Sequence, residues 1–439
     1  MLDRRHLLKR SGALAAGAAL AGALPSVMHG VTSVSAQETE FDVWTTYTDP
    51  IRTDLIESIG TTFGEANGVK FSHRGWQLEE LGNTLPRSVD SDQGPDVSQV
   101  NNGESLAGPM ARAGQILTLK DYDTEYGWST RFAPSLLARC SYTTDGKTFG
   151  EGELWGLPAE SEIVGFYYNK KMFSDAGIAI PATFAELEAA FDTLKTAGVT
   201  PLVFGNLDKW PAIHIYGAIQ GTNTTREFLD GLIYRRGDAD FTDPSITEAA
   251  AKLAEWKEAG YLLDGFEGIS ADDAQALFIG GGGAMLMQGS WAAGAVRDGL
   301  GGDAGFFLMP AVSSDVKVLN VGGVGIPYSI TKNAGDPALA AKFIDTLVSE
   351  DAFNKFVDAG QLPLGPVSED KITTDTVTGD LYKAWNAALA DDGIGHYLDW
   401  AAPQFYDGLT GALKELLGGK ATPDAFAAKL QEFYAASFS

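Results

Sequence analysis

The chain has little that would support disulfide bonding, metal binding or contact with nucleic acid. It has one cysteine, Cys140, so no disulfide can form within the chain, and its five histidines form no H-E-x-x-H pattern. Lysine and arginine total 32 against 58 aspartates and glutamates, which gives a formal net charge of −26. Nucleic acids and anionic membrane surfaces are held by basic patches, so we expect neither as a partner. No cofactor or metal is expected either.

The chain also lacks a comfortable membrane span, because its apolar run at 13–24 is shorter than the roughly 20 residues required. This run lies in a segment, 1–36, that has the layout of an export signal, with a basic start and a small-residue end at Ala36. Arg4 and Arg5 resemble the twin-arginine signal, which implies folding before export. A retained N-terminal anchor is the alternative. No cysteine ends the segment, so we predict a periplasmic or extracellular protein without a lipid anchor.

Strand and helix patterns alternate along the rest of the chain. Residues 40–47 alternate apolar and polar side chains as a strand does, 52–66 form one apolar helical face, and 69–71 indicate a second strand. This order predicts a βαβ unit and a parallel sheet. Asp243-Pro244 is one of several Asp-Pro or Thr-Pro pairs that predict helix starts. The fold class is α/β, and about 400 residues after the signal favour two lobes over one domain.

Residues 280–291, GGGGAMLMQGSW, combine a glycine run with a tryptophan. A phosphate-binding loop would need a Lys-Ser/Thr pair after the last glycine, and Ala284 and Met285 stand there instead. We interpret the stretch as a loop, a short buried strand at 284–287 and a turn that presents Trp291. The alternative is a tryptophan that only fills the core.

Five motifs in order along the chain resemble one family, the extracellular solute-binding proteins (family 1) of carbohydrate ABC transporters, which includes maltose-binding protein. The motifs lie at 94–97, 156–170, 280–291, 322–326 and 419–424. The resemblance implies a two-lobe periplasmic-binding-protein type II fold. In that fold each lobe is a mostly parallel sheet flanked by helices, and the ligand lies in the cleft between the lobes.

We place lobe 1 at 37–162 plus 324–362 and lobe 2 at 163–323 plus 363–439. The resemblance implies that the protein captures a sugar or oligosaccharide by lobe closure and delivers it to membrane-embedded ABC permease subunits. It implies a monomer and a protein that is not an enzyme, with no catalytic residue.

A neutral sugar is bound by aromatic rings against its C–H face and by directed hydrogen bonds to its hydroxyls. Candidate residues of these kinds lie at predicted strand ends and loop tips, or match family positions, and two glycines would let the backbone approach the ligand. The candidates are Trp44, Thr46, Tyr47, Asn101, Asn102, Glu160, Glu162, Asp208, Trp210, Trp291, Gly322, Gly323, Trp400 and Tyr406.

The predicted roles of Glu160 and Glu162, and the predicted sugar ligand, have alternative interpretations. Glu160 and Glu162 lie in an otherwise apolar strand, where burial without a partner is costly, so they face either the cleft or an arginine. The carboxylates in the predicted cleft also suit another small solute such as a polyamine or polyol. A secreted glycoside hydrolase would need two carboxylates about 5–9 Å apart, and no further signature of one accompanies Glu160, Glu162 and Asp208. His214, close to Trp210, is interpreted as structural.

Overall fold

The computed structural model describes residues 39–313 and 315–438, so the predicted export signal at 1–36 lies outside the described residues. The strands in the described part are β1 (Glu40–Thr45), β2 (Lys70–Gly75), β3 (Val97–Gln99), β4 (Ser141–Tyr142), β5 (Glu153–Leu154), β6 (Ser161–Asn169), β7 (Leu202–Val203), β8 (Met285–Gly289), β9 (Ala304–Phe307), β10 (Gly322–Val324) and β11 (Tyr328–Ile330).

The α-helices of the same part are α1 (Pro50–Asn67), α2 (Leu78–Asp90), α3 (Ala107–Arg112), α4 (Lys120–Tyr126), α5 (Trp128–Arg131), α6 (Pro134–Leu137), α7 (Lys170–Asp175), α8 (Phe184–Thr196), α9 (Trp210–Gln220), α10 (Arg226–Tyr234), α11 (Pro244–Glu258), α12 (Ala271–Ile279), α13 (Ala293–Leu300), α14 (Pro337–Leu347), α15 (Glu350–Asp358), α16 (Val377–Ala390), α17 (Phe405–Leu417) and α18 (Pro423–Ala436). None of them is long and apolar enough to cross a membrane.

The first sheet has the strand order β11-β3-β1-β2. β1 pairs in parallel with both β2 and β3, and α1 connects β1 to β2, which confirms the predicted βαβ unit. α1 begins after Asp49, whose side chain accepts a hydrogen bond from the amide of Arg52. It ends at Gly68 with φ 69°, a conformation that favours glycine. β11 completes the sheet antiparallel to β3.

The second sheet has the order β10-β6-β8-β7, with β9 also beside β6. β6 is antiparallel to β8, β9 and β10, whereas β7 and β8 are parallel. Four of the described strands therefore share one direction and β6 alone runs against them, so three of their four pairs are antiparallel and the sheet is mixed. β6 lies between β8 on one edge and β9 and β10 on the other. Nearly all of its residues are buried, as expected for a central strand.

The predicted helix starts are confirmed by their caps. The side chain of Asp243 accepts from the amide of Ser245, that of Asp336 from the amides of Ala338 and Leu339, and that of Thr422 from the amide of Ala425. In each helix proline takes one of the first two positions, where its missing amide hydrogen costs nothing.

The chain passes between the two sheets at three places. It enters the second sheet at β6, and it returns to the first between β10 and β11. Residue 362 then lies beside β6, because the Ser161 amide donates to the Leu362 carbonyl at 2.8 Å. These passages lie close to the positions 162, 323 and 363 at which we divide the lobes. The division itself stays a prediction.

Candidate functional site

A cavity of about 140 Å³ lies where the loops after β1 and β3 meet the start of β6, the β10–β11 passage, α9 and the turn after β8. It brings together a subset of the predicted residues from widely separated parts of the chain. These are Thr46, Asn101, Asn102, Glu162, Trp210, Trp291, Trp400 and Tyr406.

One side of the cavity is an aromatic wall. The ring centroids of Trp210 and Trp291 lie 5.8 Å apart in an edge-on arrangement, and the imidazole of His214 lies 4.8 Å from Trp210 and 5.6 Å from Trp291. Tyr397 extends the wall, 5.2 Å from His214. Burial lowers the pKa of His214 to about 3, so the imidazole is neutral near pH 7. His214 was predicted to be structural, whereas it lies among the residues that line the cavity.

The turn after β8 explains how Trp291 reaches this wall. β8 is fully buried, and Ser290 to Ala292 form a short 3-10 turn directly after it, which confirms the predicted order of loop, strand and turn. A Cβ atom on Gly289 would lie 2.0 Å from the Trp291 ring. Glycine is thus required here, because the indole folds back over the end of the strand.

A second group of lining residues is charged. The Arg52 Nε lies 2.6 Å from Oδ2 of Asp49, and both residues line the cavity. The Tyr47 hydroxyl donates to Oε1 of Glu160 at 2.9 Å, and the Tyr397 hydroxyl donates to Oε2 of Glu162 at 3.1 Å. Oε2 of Glu160 is buried and has no hydrogen-bond partner among the residues that the structure describes. Of the two glutamates, Glu162 lines the cavity and Glu160 lies behind it, near the charge of Arg52.

Loss of hydration decides the ionisation of these carboxyls. Burial, together with the nearby charge of Glu160, raises the pKa of Glu162 to about 8, although Tyr397 and Arg52 act in the opposite direction. Burial also raises the pKa of Asp399 to about 6, against the hydrogen bond that Asn101 Nδ2 donates to it at 3.1 Å. The free cavity therefore holds protonated or partly protonated carboxyls near neutral pH, and these can donate as well as accept hydrogen bonds.

The raised pKa of Glu162 makes stability depend on pH. Between about pH 5 and about pH 8 the folded protein keeps a proton that the unfolded chain has released, so stability falls as pH rises. We expect Glu162→Gln to match the wild type near pH 5. Near pH 8 it should be more stable by about 2 kcal/mol, less than the full shift implies because the side chain contacts water. Urea unfolding at both pH values measures this.

Glu153→Gln is the matched control. Lys120 lowers the pKa of Glu153, so Glu153 is ionised in both folded and unfolded chains over this pH range and its replacement should change stability equally at both pH values. A difference between Glu162→Gln and wild type that is the same at both pH values would contradict a protonated Glu162.

Several predicted site residues do not line the cavity, because their side chains pack against or form hydrogen bonds with other groups of the protein. The Trp44 ring packs 4.9 Å from Trp76, and its Nε1 donates to Asp42. Tyr47 is buried with its hydroxyl on Glu160. Oδ2 of Asp208 accepts from the Ala271 amide at 2.7 Å, which places this carboxylate at the start of α12.

The two glycines predicted to admit a ligand make room for protein instead. A Cβ on Gly322 would lie 2.3 Å from the Glu162 carbonyl oxygen, and one on Gly323 would lie 2.7 Å from Nε of Arg139. Both have positive φ, 152° and 123°. Arg139 is buried and donates to the carbonyls of residues 394 and 395, just before the turn that carries Tyr397 and Asp399.

Other lining residues were not predicted. They are Thr48, Asp49, Arg52, Gln77, Leu78, Ile213, His214, Asp272, Gln275, Gln288, Ala295, Val324, Gly325, Ile326, Tyr397 and Asp399. Gln288 lies within the stretch 280–291 and Asp399 directly precedes the predicted Trp400, so taking the polar neighbours of the predicted tryptophans as candidates would have included both. Arg52 lies in the first turn of a helix, where the sequence carries no signal for a ligand site. Within 39–313 and 315–438, no group of three or more His, Cys, Asp or Glu side chains could hold a metal ion.

Comparison with known proteins decides the family. The model of the family described as bacterial extracellular solute-binding protein matches residues 58–386, well over half of the chain. The chain belongs to this family. Among solved structures, this solute-binding protein is similar to a chitin oligosaccharide binding protein, with a TM-score of 0.78 and 23% identity over 91% of this chain and 99% of that one. The two-lobe periplasmic-binding-protein fold is therefore shown.

Curated relatives of this solute-binding protein include proteins named for sugar binding. The maltodextrin-binding protein MdxE of Bacillus subtilis is 24% identical over 83% of this chain and 83% of that protein. The multiple sugar-binding protein of Streptococcus mutans is 24% identical over 50% of this chain and 53% of that protein. With the second relative, the chain thus aligns over about half of that protein's length.

Proposed function

We propose that this solute-binding protein captures a sugar or oligosaccharide in the cavity by closure of its two lobes. The observation that carries the proposal is the pairing, in one cavity, of the indoles of Trp210 and Trp291 with the polar groups of Glu162, Asn101 and Asn102. Aromatic faces suit the C–H face of a sugar ring, and carboxyl and amide groups suit its hydroxyls. The similar proteins are named for binding maltodextrin, multiple sugars and chitin oligosaccharide, which supports the same ligand class.

The remaining parts of the proposal follow from the family and the sequence. The protein delivers its ligand to membrane-embedded ABC permease subunits and acts as a monomer without catalysis. A twin-arginine signal at 1–36 exports it, without a lipid anchor, to the periplasm or the outside. The lobes are 37–162 plus 324–362 and 163–323 plus 363–439, and closure brings Asn101 of the first against Asp399 of the second.

A cationic solute such as a polyamine is the second candidate. The observation that favours it is the charge of the cavity, where Asp49, Glu162, Asp272 and Asp399 face a single cation, Arg52, among the described lining residues. A cationic ligand would keep these carboxyls ionised, so its affinity would rise with pH. A neutral sugar would show the weaker pH dependence of hydrogen bonding alone.

Thermal-shift measurements on the mature protein test the proposal. The panel is a set of maltodextrins, xylo-oligosaccharides and chitin oligosaccharides, with polyols and polyamines alongside. A ligand at about a hundred times its Kd should stabilise the fold by about 2.7 kcal/mol. Stabilisation by a polyamine and by no sugar would overturn the sugar assignment. Chromatography after incubation should return the sugar unchanged, and shorter products would instead identify a hydrolase.

A further inference from the structure

A second space lies beside the cavity at the protein surface. A groove of about 750 Å³ lies between α2, α3 and the start of α17, and we call it the outer groove. Leu78, Asn101, Ile326 and Tyr406 line both the outer groove and the cavity. Because these four residues line both spaces, the cavity and the outer groove lie directly beside each other.

The two parts differ in chemistry. The tryptophans and His214 belong to the cavity, whereas Tyr406 is the one aromatic among the described residues that line the outer groove. The groove instead carries hydrogen-bonding side chains, among them Asn83, Arg112 and Gln404. Arg112 is held in place by Glu104, whose two carboxylate oxygens accept from its NH groups at 2.7 and 3.1 Å. The groove thus offers polar partners along its length rather than a stacking wall.

We propose that the outer groove is a second subsite for the same ligand, and that the ligand is a linear oligosaccharide longer than a disaccharide. One end of the chain lies against Trp210 and Trp291, and the following units pass between Asn101 and Tyr406 into the groove. There the hydroxyls of these units bind the polar side chains. This inference rests on the proposed function and adds the length of the ligand to it.

Gly82 offers a way to close the groove without touching the cavity. It lies on α2, lines the outer groove and is not among the residues that line the cavity. A Cβ atom there would meet no other atom within 4 Å, so a side chain can start from this position without a clash at Cβ, at the lining of the groove. Gly82→Trp therefore fills the proposed subsite, and tryptophan has a better helix propensity than glycine.

Gly411→Trp is the matched control. Gly411 also lies within a helix, α17, and a Cβ there also meets no atom within 4 Å. It lines neither the cavity nor the outer groove. The variant adds the same side chain to a helix surface elsewhere, so it separates an effect of blocking the groove from a general effect of an added indole.

The experiment is calorimetry with maltodextrins, xylo-oligosaccharides and chitin oligosaccharides, each from disaccharide to hexasaccharide. In the wild type and in Gly411→Trp, we expect the best-bound series to gain about tenfold in affinity from disaccharide to hexasaccharide, about 1.4 kcal/mol. In Gly82→Trp this ratio should fall towards one. If Gly82→Trp fails to fold, the double variant Asn83→Ala, Gln404→Ala replaces it and should reduce the same ratio.

The outcomes separate the inference from the proposed function. Full affinity already with a disaccharide, or an unchanged ratio in Gly82→Trp, would overturn the second subsite and leave sugar binding intact. Failure of every sugar of every length to bind would overturn the proposed function and the inference with it.

Discussion

Trp291→Ala is expected to lower the affinity for the sugar about thirtyfold, about 2 kcal/mol, while the fold stays largely intact. The Trp291 indole is half-buried and lines the cavity, where it meets the rings of Trp210 and His214 in edge-to-face arrangements. A sugar ring that covers its face removes apolar area from water, at roughly 25 cal/mol per Å². Alanine removes that face. Calorimetry measures the affinity, and thermal unfolding without ligand measures the stability.

Trp385→Ala provides the matched control for the loss of an indole. Trp385 is fully buried in α16, and its Nε1 donates to the Gly365 carbonyl at 2.8 Å. Its truncation should cost about 3–5 kcal/mol of stability and leave the affinity of the folded protein near the wild-type value. A Trp291→Ala variant that behaves like this control, unstable but with unchanged affinity, would mean that Trp291 only packs the interior.

Arg52→Met is expected to destabilise the protein by about 3 kcal/mol near pH 8 and by much less near pH 5. Arg52 forms an ion pair with Asp49, and its charge lowers the pKa values of Glu160 and Glu162 against the effect of burial. Without this cation the two folded-state pKa values rise further. The folded protein then binds more protons than the unfolded chain over a wider range, and its stability falls more steeply as pH rises.

Arg131→Met is the control for the loss of an ion pair at the surface. Arg131 lies 2.7 Å from Asp345, and about a third of each side chain is exposed. Such a pair contributes about 0–1 kcal/mol, with little change between the two pH values. Urea unfolding of both variants near pH 5 and near pH 8 compares them. Equal losses in the two variants, or a loss from Arg52→Met that does not depend on pH, would contradict the role of Arg52 among the buried carboxylates.

Much of the fold could be predicted because its signals are local. The parallel β1–α1–β2 unit follows from the periodicity of 40–71, and the helix starts at Asp243, Asp336 and Thr422 follow from cap and proline chemistry. The antiparallel run of β6 was not predicted. Strand direction depends on which distant strands occupy its two edges, and β8 and β9 lie more than a hundred residues away along the chain.

Some of the predicted site residues line the cavity and others do not, and this difference has a physical cause. Trp210 and Trp291 follow loops whose position the motifs indicate, and both line the cavity. Trp44 has an equally suitable side chain, but it packs against Trp76 and bonds to Asp42. Asp42 lies two residues away and Trp76 directly follows β2, and which face of β1 is open depends on how such neighbouring strands and loops cover it.

The sequence by itself determined the α/β class, the acidic composition, the helix caps and the turn that carries Trp291, because each depends on residues close together in the chain. Only the tertiary structure decided which polar groups meet at the site. Arg52 from α1, Glu162 from β6, and Tyr397 and Asp399 from the turn before α17 belong to segments far apart in sequence. Their burial together, rather than their residue types, raises the pKa values of Glu162 and Asp399. The same packing places the cavity beside the outer groove.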